Sequence, residues 1–214
     1  MGIEISTFPW VPPFAQGYVK DIRPRWALAE AGLDYDVVTV SDHDDDDYRR
    51  WQPFGQVPAY RDDTVELFES GAIVLHIAGL SPALAPKDSQ DAVQTQSWVF
   101  AALNSVEPRV DNLILPPLFH EGEPWVAGWR PHAERLVDLR LKSLTGYLKG
   151  RKWLTGRFSV ADIVMATVLR GLEDEPILAG YPEVAAYLER CLARPGFQTA
   201  LAAQLATFAE NEPA

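Results

Sequence analysis

The 214-residue sequence has a single cysteine, Cys191, so no intrachain disulfide can form. No Cys-x-x-Cys pair exists either, and no cysteine precedes position 191, which excludes thiol exchange run by cysteines of the N-terminal half. No apolar stretch approaches the roughly 18 residues needed to cross a bilayer, so no membrane partner is expected. The first residues lack the basic segment and apolar run of a secretion signal, and the expected location is cytoplasmic. Positive charge is also in short supply. Lys and Arg total 19 against 30 Asp and Glu, a formal charge of −11, and such a field repels phosphate backbones and anionic lipid surfaces. Nucleic acid is therefore not an expected partner.

What is present is an ordinary globular composition, 47% hydrophobic and 23% charged, with length enough for one large or two small domains. Part of the negative charge is local, in Asp42, Asp44, Asp45, Asp46 and Asp47, interrupted by His43. Consecutive aspartates lack the alternating spacing and glycine of a calcium loop, so the run reads as a solvated loop or the acidic first turn of a helix. No metal site is expected.

The texture of the first eighty residues changes quickly, as in an α/β unit. Residues 3–7 read as a strand, and the loop over 8–17, with Pro9, Pro12 and Pro13, must end it. A helix follows from about Asp21, with Ile22, Trp26 and Ala29 on one face, Pro24 in the first turn and Gly32 as its stop. Residues 35–40 alternate into a second strand, parallel to the first by the crossover rule. A short irregular segment over 48–51 leads to strands at 57–60 and 65–68, joined by a polar turn, and a helix over 71–77 closes the unit. Beyond Pro82 and Pro86 no strand pattern remains. Helical spacing covers 92–106, 132–148, 160–172 and 182–193, with one further helix suggested by Phe197, Leu201, Leu205 and Phe208. The expected fold is thus α/β plus all-α: a βαβ, β-hairpin, α domain over 1–80, a linker over 81–88, and an all-helical C-terminal domain over 89–214.

Several short stretches carry chemistry or structure of their own. Pro58 stands at the start of a short strand, where it reads as an edge proline or, if the bond is cis, as a device that turns Val57 outward to pair with an extended peptide. Ser70 opens a helix, so its hydroxyl and the unpaired amide hydrogens there suit a carboxylate, while Glu69 beside it suits an ammonium. The alternative is a plain N-cap with an acid favouring the dipole. Ser159 and Asp162 have capping-box spacing, with Phe158 and Ile163 as a hydrophobic staple, and read as a folding motif. Cys191 lies on the apolar stripe of its helix and reads as a buried small hydrophobe.

Taken in order, Gln52-Pro53-Phe54-Gly55-Gln56-Val57-Pro58-Ala59, Leu67-Phe68-Glu69-Ser70-Gly71-Ala72-Ile73 and Phe158-Ser159-Val160-Ala161-Asp162-Ile163 resemble the soluble (cytosolic) glutathione S-transferases, bacterial-type, class unassigned. Ala27-Leu28-Ala29-Glu30-Ala31-Gly32 adds to the likeness, which spans nearly the whole chain. The resemblance implies a thioredoxin-like first domain, a cis bond before Pro58, and glutathione held by Gln56, Val57, Pro58, Glu69 and Ser70. Glutathione is then a co-substrate, with no other cofactor, and its thiolate attacks an apolar electrophile. A homodimer is implied as well, each glutathione site lying near the interface between one subunit's first domain and the other's second. The resemblance also calls for a hydroxyl or thiol near the junction of the first strand and helix, to favour the thiolate. Counting back from Gly32 places that role on Tyr18, whereas a gapped match falls on Pro12 or Pro13, which have no donor. Ser6 and Thr7 stand in reserve, and Trp10 is placed to wall the pocket. Trp98, Phe100, Phe119 and Trp125 are candidates to meet the electrophile. A non-catalytic binding or assembly module of the same family is the alternative function.

Overall fold

The computed structural model describes residues 2–213. They fall into two compact units: one of residues up to Pro86 together with those from Arg194 on, the other Lys87–Ala193.

In the first unit the strand β1 (Glu4–Thr7) ends at the proline-rich loop, which includes a 3₁₀ turn at Pro13–Ala15. Helix α1 (Ile22–Ala31) follows and stops at Gly32, whose φ of 67° is the left-handed conformation that favours glycine. Then come β2 (Asp36–Thr39), the short helix α2 (Asp46–Trp51), β3 (Ala59–Arg61), β4 (Glu66–Phe68) and α3 (Ser70–Leu80). The sheet order is β2-β1-β3-β4, with β1 and β2 parallel and the other two pairings antiparallel. This is the expected thioredoxin-like order of βαβ, hairpin and helix. The acidic run begins α2 as a helix start: the Asp45 carboxylate accepts from the amides of Asp47 at 2.9 Å and Tyr48 at 3.2 Å.

The second unit is helical: α4 (Ser89–Phe100), α5 (Glu107–Phe119), α6 (Pro124–Leu148), α7 (Val160–Leu169) and α8 (Pro182–Leu192). Two stretches depart from the sequence expectation. Between α4 and α5 the chain passes through a π-helical turn, Ala101–Val106, in which the Glu107 amide bonds back to the Ala102 carbonyl. Pro108 has no amide hydrogen to continue the ladder there, and a widened turn absorbs that gap so that helical backbone continues to Phe119. Helix α6 also starts earlier than expected, at Pro124 rather than near 132, with proline at a position that needs no amide donor. The capping box forms: the Ser159 amide donates to Asp162 Oδ2 at 2.9 Å.

The last helix, α9 (Pro195–Glu210), packs on α1 and belongs to the first unit. Arg194 clamps the Glu30 carboxylate with two bonds of 2.7 and 2.6 Å, and Trp26 meets Phe197 with ring centroids 4.9 Å apart. Gly196 permits this approach, since a Cβ there would lie 2.6 Å from the Glu30 carboxylate. Enclosed in this way, α1 buries every residue from Ile22 to Leu28, including Arg23 and Arg25. Arg25 answers the buried Asp21 carboxylate at 2.7 Å, and Gln204 of α9 also reaches that carboxylate. Burial raises the pKa of Asp21, and the Arg25 charge opposes the rise.

Candidate functional site

Strand register brings the motif residues together. Ala59 pairs with Phe68 across the hairpin, so Val57 and Pro58 before one strand and Glu69 and Ser70 after the other lie at the same end of the sheet. In the β1–β3 pair Ile5 faces Tyr60, and continuing that register sets Thr7, the last residue of β1, opposite Pro58. The loop after β1, the Val57–Pro58 bond and the start of α3 thus converge on one edge, where first-turn amides of the helix have no helical partner. The bond between Val57 and Pro58 is cis.

Each element is held there by buried polar contacts. Ser6 is fully buried; its Oγ accepts from the Ala59 amide at 2.7 Å and lies 2.9 Å from the Tyr48 hydroxyl. The Tyr48 hydroxyl in turn donates to the Gln56 carbonyl at 2.5 Å. Since that hydroxyl gives its hydrogen to Gln56, Ser6 is the donor to Tyr48, and the serine's one hydrogen is used in fixing the segment before the cis proline. Ser6 is therefore a structural group and is removed from the candidates for sulfur activation. Burial also raises the Tyr48 pKa, which keeps its phenol neutral and donating. Neither role is visible in the sequence, where Tyr48 follows the acidic run and reads as part of a short surface segment.

Glu69 and Ser70 differ in what surrounds them. Glu69 is exposed and adopts φ 69°, ψ 114°, a region that side-chain-bearing residues rarely enter. Among the described residues its carboxylate has no hydrogen-bond or ion-pair partner. Ser70 is buried, and its Oγ accepts a hydrogen bond from Arg23 Nη1 at 3.0 Å. A hydroxyl so engaged still has its own hydrogen to donate, and the guanidinium behind it polarises that O–H. Arg23 is thus a second residue that sequence reasoning missed. Its position on α1 resembles any solvent-facing arginine, and only the packing of α3 and α9 around the helix buries it.

Tyr18 lies in the loop between the 3₁₀ turn and α1, 43% exposed, with its amide bonded to the Ala15 carbonyl at 3.0 Å. Thr7 is buried. Before the 3₁₀ turn the indole Nε1–H of Trp10 is buried with no hydrogen-bond partner among the described residues. In the helical unit Trp98 packs on Tyr147 with ring centroids 4.5 Å apart, while Phe100, Phe119 and Trp125 are exposed. Cys191 is buried on α8.

A parallel strand pair, an antiparallel hairpin, a cis proline entering the inner strand and a serine at a helix start define a thioredoxin-like unit, here joined to a helical one. Comparison with known proteins agrees. The family model for the glutathione S-transferase N-terminal domain matches residues 17–79, and that for the C-terminal domain matches residues 130–195. Glutathione S-transferase 3 of Zea mays is 32% identical over 203 residues, 85% of this chain and 88% of that protein. Glutathione S-transferase GstA of Escherichia coli O157:H7 is 32% identical over 188 residues, 83% and 90% of the two chains. Among solved structures, a glutathione transferase from Pseudomonas putida with glutathione disulfide bound superposes with a TM-score of 0.80 at 25% identity, covering 93% of this chain and 90% of that one. The chain belongs to the glutathione S-transferase family, and it is a transferase.

Proposed function

We propose that this protein binds glutathione at the edge built from residues 56–58 and 69–70 and promotes attack of its thiolate on an apolar electrophile. The observation that carries this reading is the pairing at the start of α3. An exposed Glu69 carboxylate without a protein partner stands beside a Ser70 hydroxyl held by a buried arginine. A γ-glutamyl head group bears one ammonium and one carboxylate, and these neighbours match the two charges: Glu69 takes the ammonium, Ser70 and the first-turn amides the carboxylate. Gln56, Val57 and the cis Pro58 present backbone to the extended part of the tripeptide.

The free thiol of glutathione, with a pKa near 8.5, is only a few per cent ionised at neutral pH, so a donor to the sulfur is required. Tyr18 supplies that donor in this reading. Tyr18→Phe removes one hydrogen bond and little volume, so glutathione affinity should hold while turnover near neutral pH falls about tenfold or more. Activity should recover in part as pH rises, since solvent then ionises the thiol. A pH profile of turnover unchanged by the substitution would move the role to the Trp10 indole or to a backbone amide of residues 8–17.

We also propose a homodimer located in the cytoplasm. Twofold dimers are the commonest soluble assembly, and the first unit exposes an apolar pair, Phe54 and Phe68, with ring centroids 6.2 Å apart. Sedimentation at micromolar concentration should show twice the 23.8 kDa chain mass, and a species of 23.8 kDa would count against it.

A further inference from the structure

The connection from α6 to α7 reverses the charge of the rest of the chain. Residues 149–158 carry Lys149, Arg151, Lys152 and Arg157 and no Asp or Glu, in a protein of formal charge −11. Arg157 is used internally, bound to the Asp91 carboxylate at 2.9 Å. Lys149, Arg151 and Lys152 have no carboxylate within ion-pair distance among the described residues.

A cavity of about 500 Å³ opens at this connection, lined chiefly by Gln94, Tyr147, Gly150, Arg151, Lys152 and Thr155. That volume lies within the range of small-molecule sites, roughly 300–1,000 Å³, and exceeds what one inorganic ion needs. Both cations are held in place. The Arg151 guanidinium lies 4.4 Å from the Tyr147 ring centroid and donates through Nη1 to the Tyr147 carbonyl at 2.7 Å. The Lys152 ammonium lies 5.5 Å from the Trp153 ring centroid. Anchoring on aromatic faces reduces the side-chain entropy that ligand capture would otherwise cost.

The bond to Tyr147 caps the last turn of α6, and this accounts for one Arg151 donor. It does not account for the other guanidinium hydrogens, the Lys152 ammonium or the Gln94 amide, none of which has an acceptor among the described residues. We propose that this cavity is a second ligand site, for a small phosphate-bearing metabolite. Guanidinium matches phosphate oxygens in a two-pronged geometry, lysine adds a point charge, and Gln94 offers a neutral donor. With the remainder of the protein acidic, a polyanion meets attraction here and repulsion over most of the surface.

The test is calorimetric titration of the full chain with inorganic pyrophosphate at low ionic strength. Saturable binding at one site per chain is expected, weakening as salt is added because the cations are exposed. The double variant Arg151→Gln, Lys152→Gln should bind about tenfold or more weakly. Arg151→Lys, which keeps the charge and loses the fork, should fall between the two. These exposed positions leave the fold intact, and an unchanged thermal midpoint of each variant checks that. Absence of saturable binding to the wild-type protein, or binding of equal strength in the double variant, would overturn the proposal.

Discussion

Glu69→Ala is expected to weaken glutathione binding by about tenfold to a hundredfold while leaving folding stability unchanged. The range follows from a charge-assisted bond of about 1.5 to 3 kcal/mol, with 1.4 kcal/mol per factor of ten. Stability should hold because the side chain is exposed and has no protein partner among the described residues. The backbone at Glu69 gives a sharper version. With φ at 69°, Glu69→Gly relaxes a conformation that costs side-chain-bearing residues free energy, so that variant should be as stable as wild type or more so. It should still lose glutathione. If it bound normally, the unusual backbone and not the carboxylate would be the functional feature. Ser70→Ala should behave differently from Glu69→Ala. A serine that only greets a ligand would be removable without cost, but this one accepts from the buried Arg23, and its loss deprives a buried cation of an acceptor. Both glutathione affinity and stability should fall, the latter by about 1 to 3 kcal/mol. Isothermal titration and denaturant unfolding separate the two effects.

The second large effect is on stability alone, at Asp162. Its carboxylate is buried and gathers four donors: the Leu154 amide at 3.0 Å, the Ser159 amide at 2.9 Å, the Ser159 hydroxyl at 3.2 Å and the Tyr187 hydroxyl at 3.0 Å. The carboxylate joins the start of α7 to the 149–158 connection and to α8. Asp162→Ala leaves those donors in a dry interior, at about 1 to 3 kcal/mol for each group that water cannot reach, so the total should be about 4 kcal/mol. Ser159→Ala, which removes a cap but keeps the acid, should cost about 1 kcal/mol. Urea unfolding of both variants checks the ranking. Equal losses would mean that Asp162 acts only as a helix cap.

Those two cases show what a sequence can and cannot carry. The order of strands and helices in the first unit was legible because each element ends at a residue with one physical meaning: prolines after β1, Gly32 after α1, a polar turn within the hairpin. The capping box was legible for the same reason, since its two members are three residues apart. Helix α5 was not, because Pro108, Pro116 and Pro117 read as helix breakers, and only the π turn before it shows how the chain accommodates the first of them. The partner of α9 was equally hidden. Its apolar spacing predicted a helix, but nothing local tells which surface it covers, and the Arg194–Glu30 clamp joins residues 164 apart in sequence. In the site, Glu69, Ser70 and Pro58 were marked by adjacent motifs. Arg23 and Tyr48 were not, because each acts through a residue far along the chain, Ser70 for one and Ser6 for the other.

The central claim is that this chain binds glutathione and lowers the pKa of its thiol. Ultraviolet titration of the thiolate in the wild-type complex tests it most directly. One donated hydrogen bond of the charge-assisted kind should bring the bound thiol roughly one to two units below its free value near 8.5. A bound thiol that titrates as free glutathione does, or a protein that takes up no glutathione at all, would contradict the account.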